Sequence, residues 1–145
     1  MTGNGVKLSI DEMQFITIYQ GIVNIRIRDC IIDENENKVL FVVEEGQAGL
    51  AIGKRGTNIN KLKELIARDV EIIEYSSKPS IFIKNCFLPI IPKDVSIQNR
   101  KNGRVAVVTV DQKDIGLAIG RDGRTIKKVK QLVTRQFDIV DVVIK

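Results

Sequence analysis

The sequence contains no histidine and no tryptophan, and aromatic residues make up only 5% of its 145 residues. Without histidine, the chain lacks the usual general base at neutral pH and the commonest metal ligand. Its two cysteines, Cys30 and Cys86, are far apart and form no CxxC pair, which favours buried thiols over a zinc site or a disulfide framework. We therefore expect no enzymatic activity, no cofactor and no metal site.

Long apolar runs and a charged-then-apolar leader are also missing from the sequence. No run approaches the roughly 20 apolar residues that a membrane-spanning helix needs, so we expect a cytoplasmic protein without a membrane partner. The chain does have a basic excess: Lys and Arg outnumber Asp and Glu by 23 to 18, which gives a formal charge of +5 and an isoelectric point near 9.3. Such an excess favours polyanionic partners.

Two segments of the chain resemble each other, AIGKRGTNI at residues 51–59 and AIGRDGRTI at residues 118–126, which are identical at five of nine positions. With an offset of 67, GLAIG matches GLAIG letter for letter. The similarity extends in both directions. Upstream, residues 38–46 match residues 104–112 if the alignment is shifted by one residue, and downstream, residues 70–75 match residues 137–142 without a shift. Self-similarity of this kind indicates two homologous units.

Each unit is predicted to run in the order helix, strand, strand, helix, helix, strand. In the first unit, Ser9 and Glu12 have the spacing of a capping box for a helix over about residues 10–20. Apolar runs separated by a polar turn then predict a β-hairpin. A short helix is predicted to stop at Gly53, and a longer amphipathic helix is predicted to begin after Gly56.

The stretch SSKPS at residues 76–80 is the natural boundary between the units. We expect an α+β protein with a first domain at residues 1–75, a short linker at residues 76–80 and a second domain at residues 81–145. Because proline is favoured in the first turn of a helix, position 79 is an alternative start for the first helix of the second domain.

Between the two middle helices, each unit carries a glycine pair, GKRG at residues 53–56 and GRDG at residues 120–123. We expect the first glycine to end a helix in the left-handed conformation and the second to let a ligand approach closely. The amides and dipole of the next helix favour an anion there, and Lys54, Arg55 and Arg121 add positive charge. The spacing fits neither a Walker loop nor a dinucleotide fingerprint. A phosphate clamp and a plain interhelical turn are the two interpretations, and the recurrence with cations favours the clamp.

The stretch LAIGKRGTNI resembles the K-homology (KH) RNA-binding domain, and the order of elements resembles its type II form. Two such units in tandem, over essentially the whole chain, resemble the archaeal NusA-like transcription factors. The resemblance implies two type II KH domains that bind single-stranded RNA and act in transcription termination, antitermination or elongation. An RNA-processing or ribosome-associated KH protein, or an adaptor that docks on RNA polymerase, remains the alternative.

The family pattern carries over to two sets of residues in this sequence. In each set, isoleucines would form an aliphatic groove for bases, the loop would hold the RNA backbone, and helix cations would extend the phosphate track. The expected RNA-binding residues are Ile52, Gly53, Lys54, Arg55, Gly56, Ile59, Lys61, Lys63, Ile119, Gly120, Arg121, Asp122, Gly123, Arg124, Ile126, Lys127 and Lys128.

Asp122 departs from this pattern, because a carboxylate beside a phosphate opposes binding by like-charge repulsion. We expect the second loop to bind RNA more weakly than the first, with Arg121 and Arg124 partly neutralising the carboxylate. On this argument, Asp122→Lys raises the affinity for RNA.

Overall fold

The computed structural model describes residues 7–145. The chain divides into two compact units, the first ending at Ser76 and the second comprising Ser77–Lys145. Both units follow the predicted order of helix, strand, strand, helix, helix, strand. Within residues 7–145, no helix has the length and apolar character required to cross a membrane.

The first unit begins with the predicted capping box. The amide of Glu12 donates to Ser9 Oγ at 3.1 Å, and the amide of Ser9 donates to Glu12 Oε1 at 2.9 Å, so both partners are present. In chain order, the elements are α1 (Ile10–Ile22), β1 (Ile27–Asp33), β2 (Lys38–Val43), α2 (Ala48–Ile52), α3 (Thr57–Ile66) and β3 (Asp69–Glu74).

The second unit begins with a helix whose first residue is proline. Pro79 has no amide hydrogen to donate, and this costs nothing at the start of a helix because the first amides have no partner within it. In chain order, the elements are α4 (Pro79–Phe87), β4 (Asp94–Arg100), β5 (Gly103–Thr109), α5 (Ile115–Ile119), α6 (Arg124–Gln136) and β6 (Asp141–Ile144).

Each unit contains one three-stranded sheet in which the strands lie in chain order. The first two strands are antiparallel, and the second and third are parallel. The parallel pair therefore requires a crossover, which α2 and α3 provide in the first unit and α5 and α6 provide in the second. Alternate residues of β2 (Val39, Phe41 and Val43) are fully buried in the same core cluster as side chains of α1, α2 and α3, as expected for one covered face of a sheet.

The two units match in structure with a constant offset of 67 from the hairpin to the last helix. Lys38 lies opposite Asp69 in the first sheet, and Val105 lies opposite Asp141 in the second. Asp69 and Asp141 are equivalent because each forms an ion pair with a lysine at the same helix position, at 3.4 and 3.2 Å. Lys38 therefore corresponds to Val105, and the upstream segments match at the offset of 67 without the one-residue shift.

The predicted downstream match of residues 70–75 with residues 137–142 is wrong by five residues. Helix α6 has 13 residues where α3 has 10, and the segment that follows α6 is two residues longer than the one that follows α3. Val70 corresponds to Val142, since both are buried and each follows the ion-paired aspartate of its sheet. The last apolar residues of the two helices, Ile66 and Val133, still match at the offset of 67, and the three added residues of α6 (134–136) are polar, so the apolar pattern did not reveal them.

Tyr19 joins α1 to the end of α2. Its side chain is fully buried, its ring lies edge-on to Phe41 at 5.0 Å between centroids, and its hydroxyl donates to the carbonyl of Ala51 at 2.5 Å. This carbonyl belongs to the last turn of α2, where carbonyls lack helical partners. Burial raises the pKa of Tyr19 to about 12, because the charged phenolate is poorly solvated there.

The connection between α2 and α3 is a single 3-10 turn with an unusual backbone. Gly53 has φ 81° and ψ 166°, whereas Arg55 and Gly56 are left-handed, with φ 57° and φ 74°. The second unit repeats this path, with φ 80° and ψ 169° at Gly120 and φ 56° at Asp122. The expected left-handed conformation is therefore wrong for the first glycine, which combines a positive φ with an extended ψ. That combination is essentially restricted to glycine.

We expect the stability to respond to the ionisation of Tyr19. The tyrosine is protonated in the folded state up to about pH 12, whereas in the unfolded chain it ionises near pH 10. The contribution of Tyr19 is therefore complete below pH 10 and is lost as the pH rises towards 12. At pH 8, Tyr19→Phe should lower the free energy of unfolding by about 1–3 kcal/mol, because the carbonyl of Ala51 loses its donor. Urea unfolding at pH 8 and pH 11 measures the difference, which should shrink at pH 11; a constant difference would contradict this account.

The two glycines of a loop should differ in their tolerance of alanine. A methyl group at Gly120 would lie 2.7 Å from the backbone nitrogen of Thr125, whereas a methyl group at Gly123 would meet nothing closer than 3.9 Å. Gly123→Ala should therefore cost only the left-handed strain, roughly 1–2 kcal/mol, and Gly120→Ala should cost clearly more. Urea unfolding of both variants tests this order. Equal losses would mean that the close approach at Gly120 does not constrain the fold.

Candidate nucleic-acid interface

Side chains of the first turn of α3 hold the first glycine loop in place by hydrogen bonds to its backbone and to the end of α2. The Asn58 amide donates from Nδ2 to the carbonyl of Leu50 at 2.9 Å, and the Thr57 hydroxyl donates to the carbonyl of Lys54. Asn58 also lies directly under Gly53, where its backbone nitrogen would be 2.9 Å from a methyl group on that glycine. The end of α2 is thereby tied to the first turn of α3, and the loop is held in one conformation.

The second loop has the same backbone but a different support. Arg124 and Thr125 occupy the positions of Thr57 and Asn58. Thr125 packs under Gly120, yet within residues 7–145 its hydroxyl makes no hydrogen bond corresponding to that of Asn58. The second loop is therefore held by packing and backbone geometry, with fewer side-chain hydrogen bonds.

The loops use part of their own backbone amides. The amides of Gly56 and Gly123 donate to the carbonyls of the first glycines at 3.0 and 3.1 Å, and the amide of Thr57 donates to the carbonyl of Lys54. The expectation that the helix would present a full set of unpaired amides is therefore only partly met. Attraction for an anion depends mainly on the helix dipole and on the cationic side chains.

Three cations of the first unit surround one surface cleft beside the GKRG loop. Lys54, Arg55 and Lys61 are all exposed, and they line the cleft together with polar residues of α3. Helix positions 57, 60, 61 and 64 follow the spacing of a single helix face. The complete lining is Lys54, Arg55, Thr57, Asn60, Lys61 and Glu64.

Lys63, which was predicted to extend the phosphate track, points elsewhere. Its ammonium forms an ion pair with Asp69 at 3.4 Å, at the start of β3, and it does not line the cleft. The pKa of Asp69 is lowered, first by the hydrogen bond from the amide of Val70 and then by Lys63. Lys63 therefore has a role in joining α3 to the sheet, which Lys130 repeats in the second unit.

In the second unit, the predicted cations are distributed between the loop and α6. Arg121 and Asp122 are exposed in the loop. Lys127 is exposed and both Arg124 and Lys128 are half-buried in the first two turns of α6. The structure thus brings the second set of charged residues to one end of α6, beside the GRDG loop.

The isoleucines divide into two classes. Ile52 and Ile119 are 39% and 40% exposed at the ends of α2 and α5, so each offers an apolar surface next to its loop. Ile59 and Ile126 are half-buried, and Ile59 packs against the core of the first unit. Only the first class is available for contact with a base to any large extent.

Two exposed leucines were not predicted as site residues. Leu50 and Leu117 occupy equivalent positions in α2 and α5, and they are 53% and 68% exposed. Each lies two residues before an exposed isoleucine, and residues two apart point to different sides of a helix. Leu117 lines a cleft with Pro89, Ile90 and Ile91 instead of one with the GRDG loop. Leucine in a helix usually indicates core, and a five-residue helix is too short to show a clear apolar face, so this exposure could not be predicted from the sequence pattern.

Within the described part of the chain, no group of three His, Cys, Asp or Glu side chains is arranged to hold a metal ion. Cys30 and Cys86 are buried free thiols, as predicted.

The chain matches two families of known domains. Residues 14–91 match the family described as KH domain, and residues 79–143 match the family described as NusA-like second KH domain. The crystal structure of APE1850 has a TM-score of 0.78 and 31% sequence identity, and the match covers 95% of this chain and 100% of that one.

Two similar proteins of known sequence, each matched over nearly its whole length, come from archaea. The "Probable transcription termination protein NusA" of Halococcus morrhuae is 33% identical over 137 residues, which is 94% of this chain and 96% of that protein. The protein of the same description from Thermoplasma acidophilum is 30% identical over 145 residues, which is 100% of this chain and 99% of that protein. These matches, and the two units with their equivalent glycine loops, show that the chain is a member of the archaeal NusA-like family of tandem KH-domain proteins.

Proposed function

We propose that this protein binds single-stranded RNA through both glycine loops and acts in transcription termination or antitermination. The observation that carries the proposal is the repeated loop. Two units with different surrounding residues have the same backbone path, with φ values that agree to within one degree at three of the four loop positions, Gly53/Gly120, Arg55/Asp122 and Gly56/Gly123. Both place basic side chains beside that path.

A phosphodiester fits this arrangement for physical reasons. The loop projects Lys54 and Arg55 into solvent, where they attract a phosphate without the cost of a buried charge. The positive end of the α3 dipole points to the same place. KH loops hold about four nucleotides through their backbone, so two loops would engage about twice that number.

Bases would lie on the aliphatic surface next to each loop. Ile52 supplies this surface in the first unit, and Ile119 supplies it in the second. Neither loop contains an aromatic residue, so stacking platforms such as those of the RRM are not part of this mode of binding. Recognition would depend on hydrogen bonds to base edges and on aliphatic contact.

The transcriptional role follows from the relatives, whose description names transcription termination. RNA polymerase is a partner that this role implies. The identity of RNA bound in cells separates the role from its alternatives: nascent transcripts support it, whereas ribosomal or processing-intermediate RNA would favour the RNA-processing function. An adaptor role would be favoured if partner binding survived charge reversal of both loops.

Charge reversal in the loops should weaken the binding of single-stranded RNA. For Lys54→Asp with Arg55→Asp, we expect a larger loss than for Arg121→Asp, and the triple variant should lose most. The logarithm of the affinity should fall with the logarithm of the salt concentration with a slope of about −0.7 per neutralised phosphate, and each variant should flatten that slope. Fluorescence anisotropy with random-sequence RNA of about a dozen nucleotides, at two salt concentrations, measures both quantities.

A matched control variant distinguishes direct contact between the loops and RNA from attraction of RNA by the net charge of the protein. Lys84→Asp with Lys101→Asp makes the same change in net charge as the first variant, at two exposed lysines outside both loops. This control should keep most of the affinity and the salt slope. If the control and the loop variants lose affinity equally, the loops are interhelical turns and the RNA is attracted only by the overall charge.

A further inference from the structure

A side chain of the following helix lies over the second glycine of each loop, and its chemistry differs between the units. A methyl group at Gly56 would lie 3.3 Å from Nδ2 of Asn60, and a methyl group at Gly123 would lie 3.9 Å from Cε of Lys127. Asn60 and Lys127 are equivalent in the offset of 67. A neutral amide therefore covers the end of the first loop, and a lysine covers the end of the second.

Within the loops, the difference in charge between the two units is reversed. Arg55 and Asp122 have nearly the same backbone angles, φ 57° and ψ 28° against φ 56° and ψ 26°, so their side chains leave the loop from equivalent positions. At these two pairs of positions, the first unit has Arg55 in the loop and Asn60 on the helix, whereas the second has Asp122 in the loop and Lys127 on the helix. Lys54 and Arg121 give each loop one further cation. Positive charge has thus moved from the loop to the helix.

The total charge beside each loop shows that the second unit has not become less basic. At the two loop positions and the four helix positions that line the first cleft, the first unit has three cations and one carboxylate, and the second unit has four cations and one carboxylate. The additional cations of the second unit are on α6. We call Arg124, Lys127 and Lys128 the α6 basic surface; at the equivalent positions, α3 has Thr57, Asn60 and Lys61.

Lys127 is available to bind an anion. It is exposed, and within residues 7–145 neither Lys127 nor Asp122 forms an ion pair. Its ammonium is therefore not neutralised by the loop carboxylate, although its stem folds back towards Gly123. A flexible lysine in this place can follow a phosphate that the carboxylate keeps away from the loop itself.

We propose that the second domain holds an RNA phosphate with Lys127, assisted by Arg124 on the α6 basic surface, in place of Arg55, the cation that the first domain has at the loop position of Asp122. This inference rests on the proposed function, because it assigns the phosphate contact within the same RNA-binding site. On this proposal, the main effect of Asp122 is to change where the phosphate is held. The RNA affinity of the second domain falls little, because Lys127 compensates for the carboxylate.

Reciprocal exchange of the two pairs tests this proposal. Lys127→Gln removes the cation above the second loop with a good helix former, and Asp122→Arg places a cation at the loop position of Arg55. The double variant gives the second unit the same charges as the first unit at these two positions. The matched variants in the first unit are Arg55→Asp, Asn60→Lys and their combination. The affinity for random-sequence single-stranded RNA and its salt slope are measured for the full chain, and thermal unfolding verifies that each variant is folded.

We expect Lys127→Gln to weaken RNA binding roughly fivefold, the size of one exposed ion pair, and to flatten the salt slope by about 0.7. Lys127→Arg should retain the affinity, and Asp122→Arg should rescue Lys127→Gln. In the first unit, Asn60→Lys should rescue Arg55→Asp. Rescue in both directions is the result that a purely structural role of Lys127 would not produce.

The possible failures are distinguishable. If Lys127→Gln keeps full affinity while the double loop variant of Lys54 and Arg55 loses it, the compensation by Lys127 is wrong and the proposed RNA-binding function stands. If Lys127→Gln loses affinity and Asp122→Arg gives no rescue, Lys127 binds RNA independently of the loop carboxylate, and the proposed exchange is overturned. If no variant of either unit changes the affinity, both proposals fail.

Discussion

The close approach of two backbones at the first glycine of each loop is the constraint on which the rest of the site depends. At Gly53 and Gly120, a methyl group would be 2.9 and 2.7 Å from the backbone nitrogen of the residue five positions later. With only a hydrogen on the α-carbon, the chain can turn directly from the end of one helix into the start of the next. The two residues after the first glycine, Lys54 and Arg55 in one unit and Arg121 and Asp122 in the other, are exposed to solvent. They lie beside the positive end of a helix dipole.

This constraint acts on the backbone and leaves the side chains free to differ. The loop angles agree closely between the units, whereas the supports differ: Asn58 makes a hydrogen bond below the first loop, and Thr125 fills the same space below the second. Tyr19 adds a further support in the first unit by donating to the last turn of α2. The geometry of the turn is therefore determined by the glycines, and the charge around it is determined by residues that the geometry does not restrict.

Much of this arrangement could be predicted from the sequence, for identifiable reasons. The order of elements follows from apolar periodicity, and the start of α1 follows from the Ser9 and Glu12 capping box. The conformation of Gly53 could not be predicted, because glycine adopts both the left-handed and the extended positive-φ regions. The match of residues 70–75 with residues 137–142 was wrong because the three added residues of α6 are polar and the apolar pattern of the two helices ends at equivalent positions. That Lys61 lines the cleft and Lys63 does not is a matter of helix face, whereas the position of Lys127 over Gly123 requires a rotamer that no sequence pattern contains.

The redistribution of charge also has an energetic rationale within the fold. The third loop position is left-handed in both units, a conformation that costs an ordinary residue roughly 1–2 kcal/mol and that aspartate tolerates better than arginine. The first unit places arginine there and accepts that strain together with a cation in the loop. The second unit places aspartate there, which relieves strain but introduces a carboxylate. The compensating cation then belongs on a helix, where lysine is a good helix former and where Lys127 reaches back over the loop. One turn geometry thus permits two solutions: a cation at a strained loop position with an amide above it, or a relaxed loop with the cation on the helix.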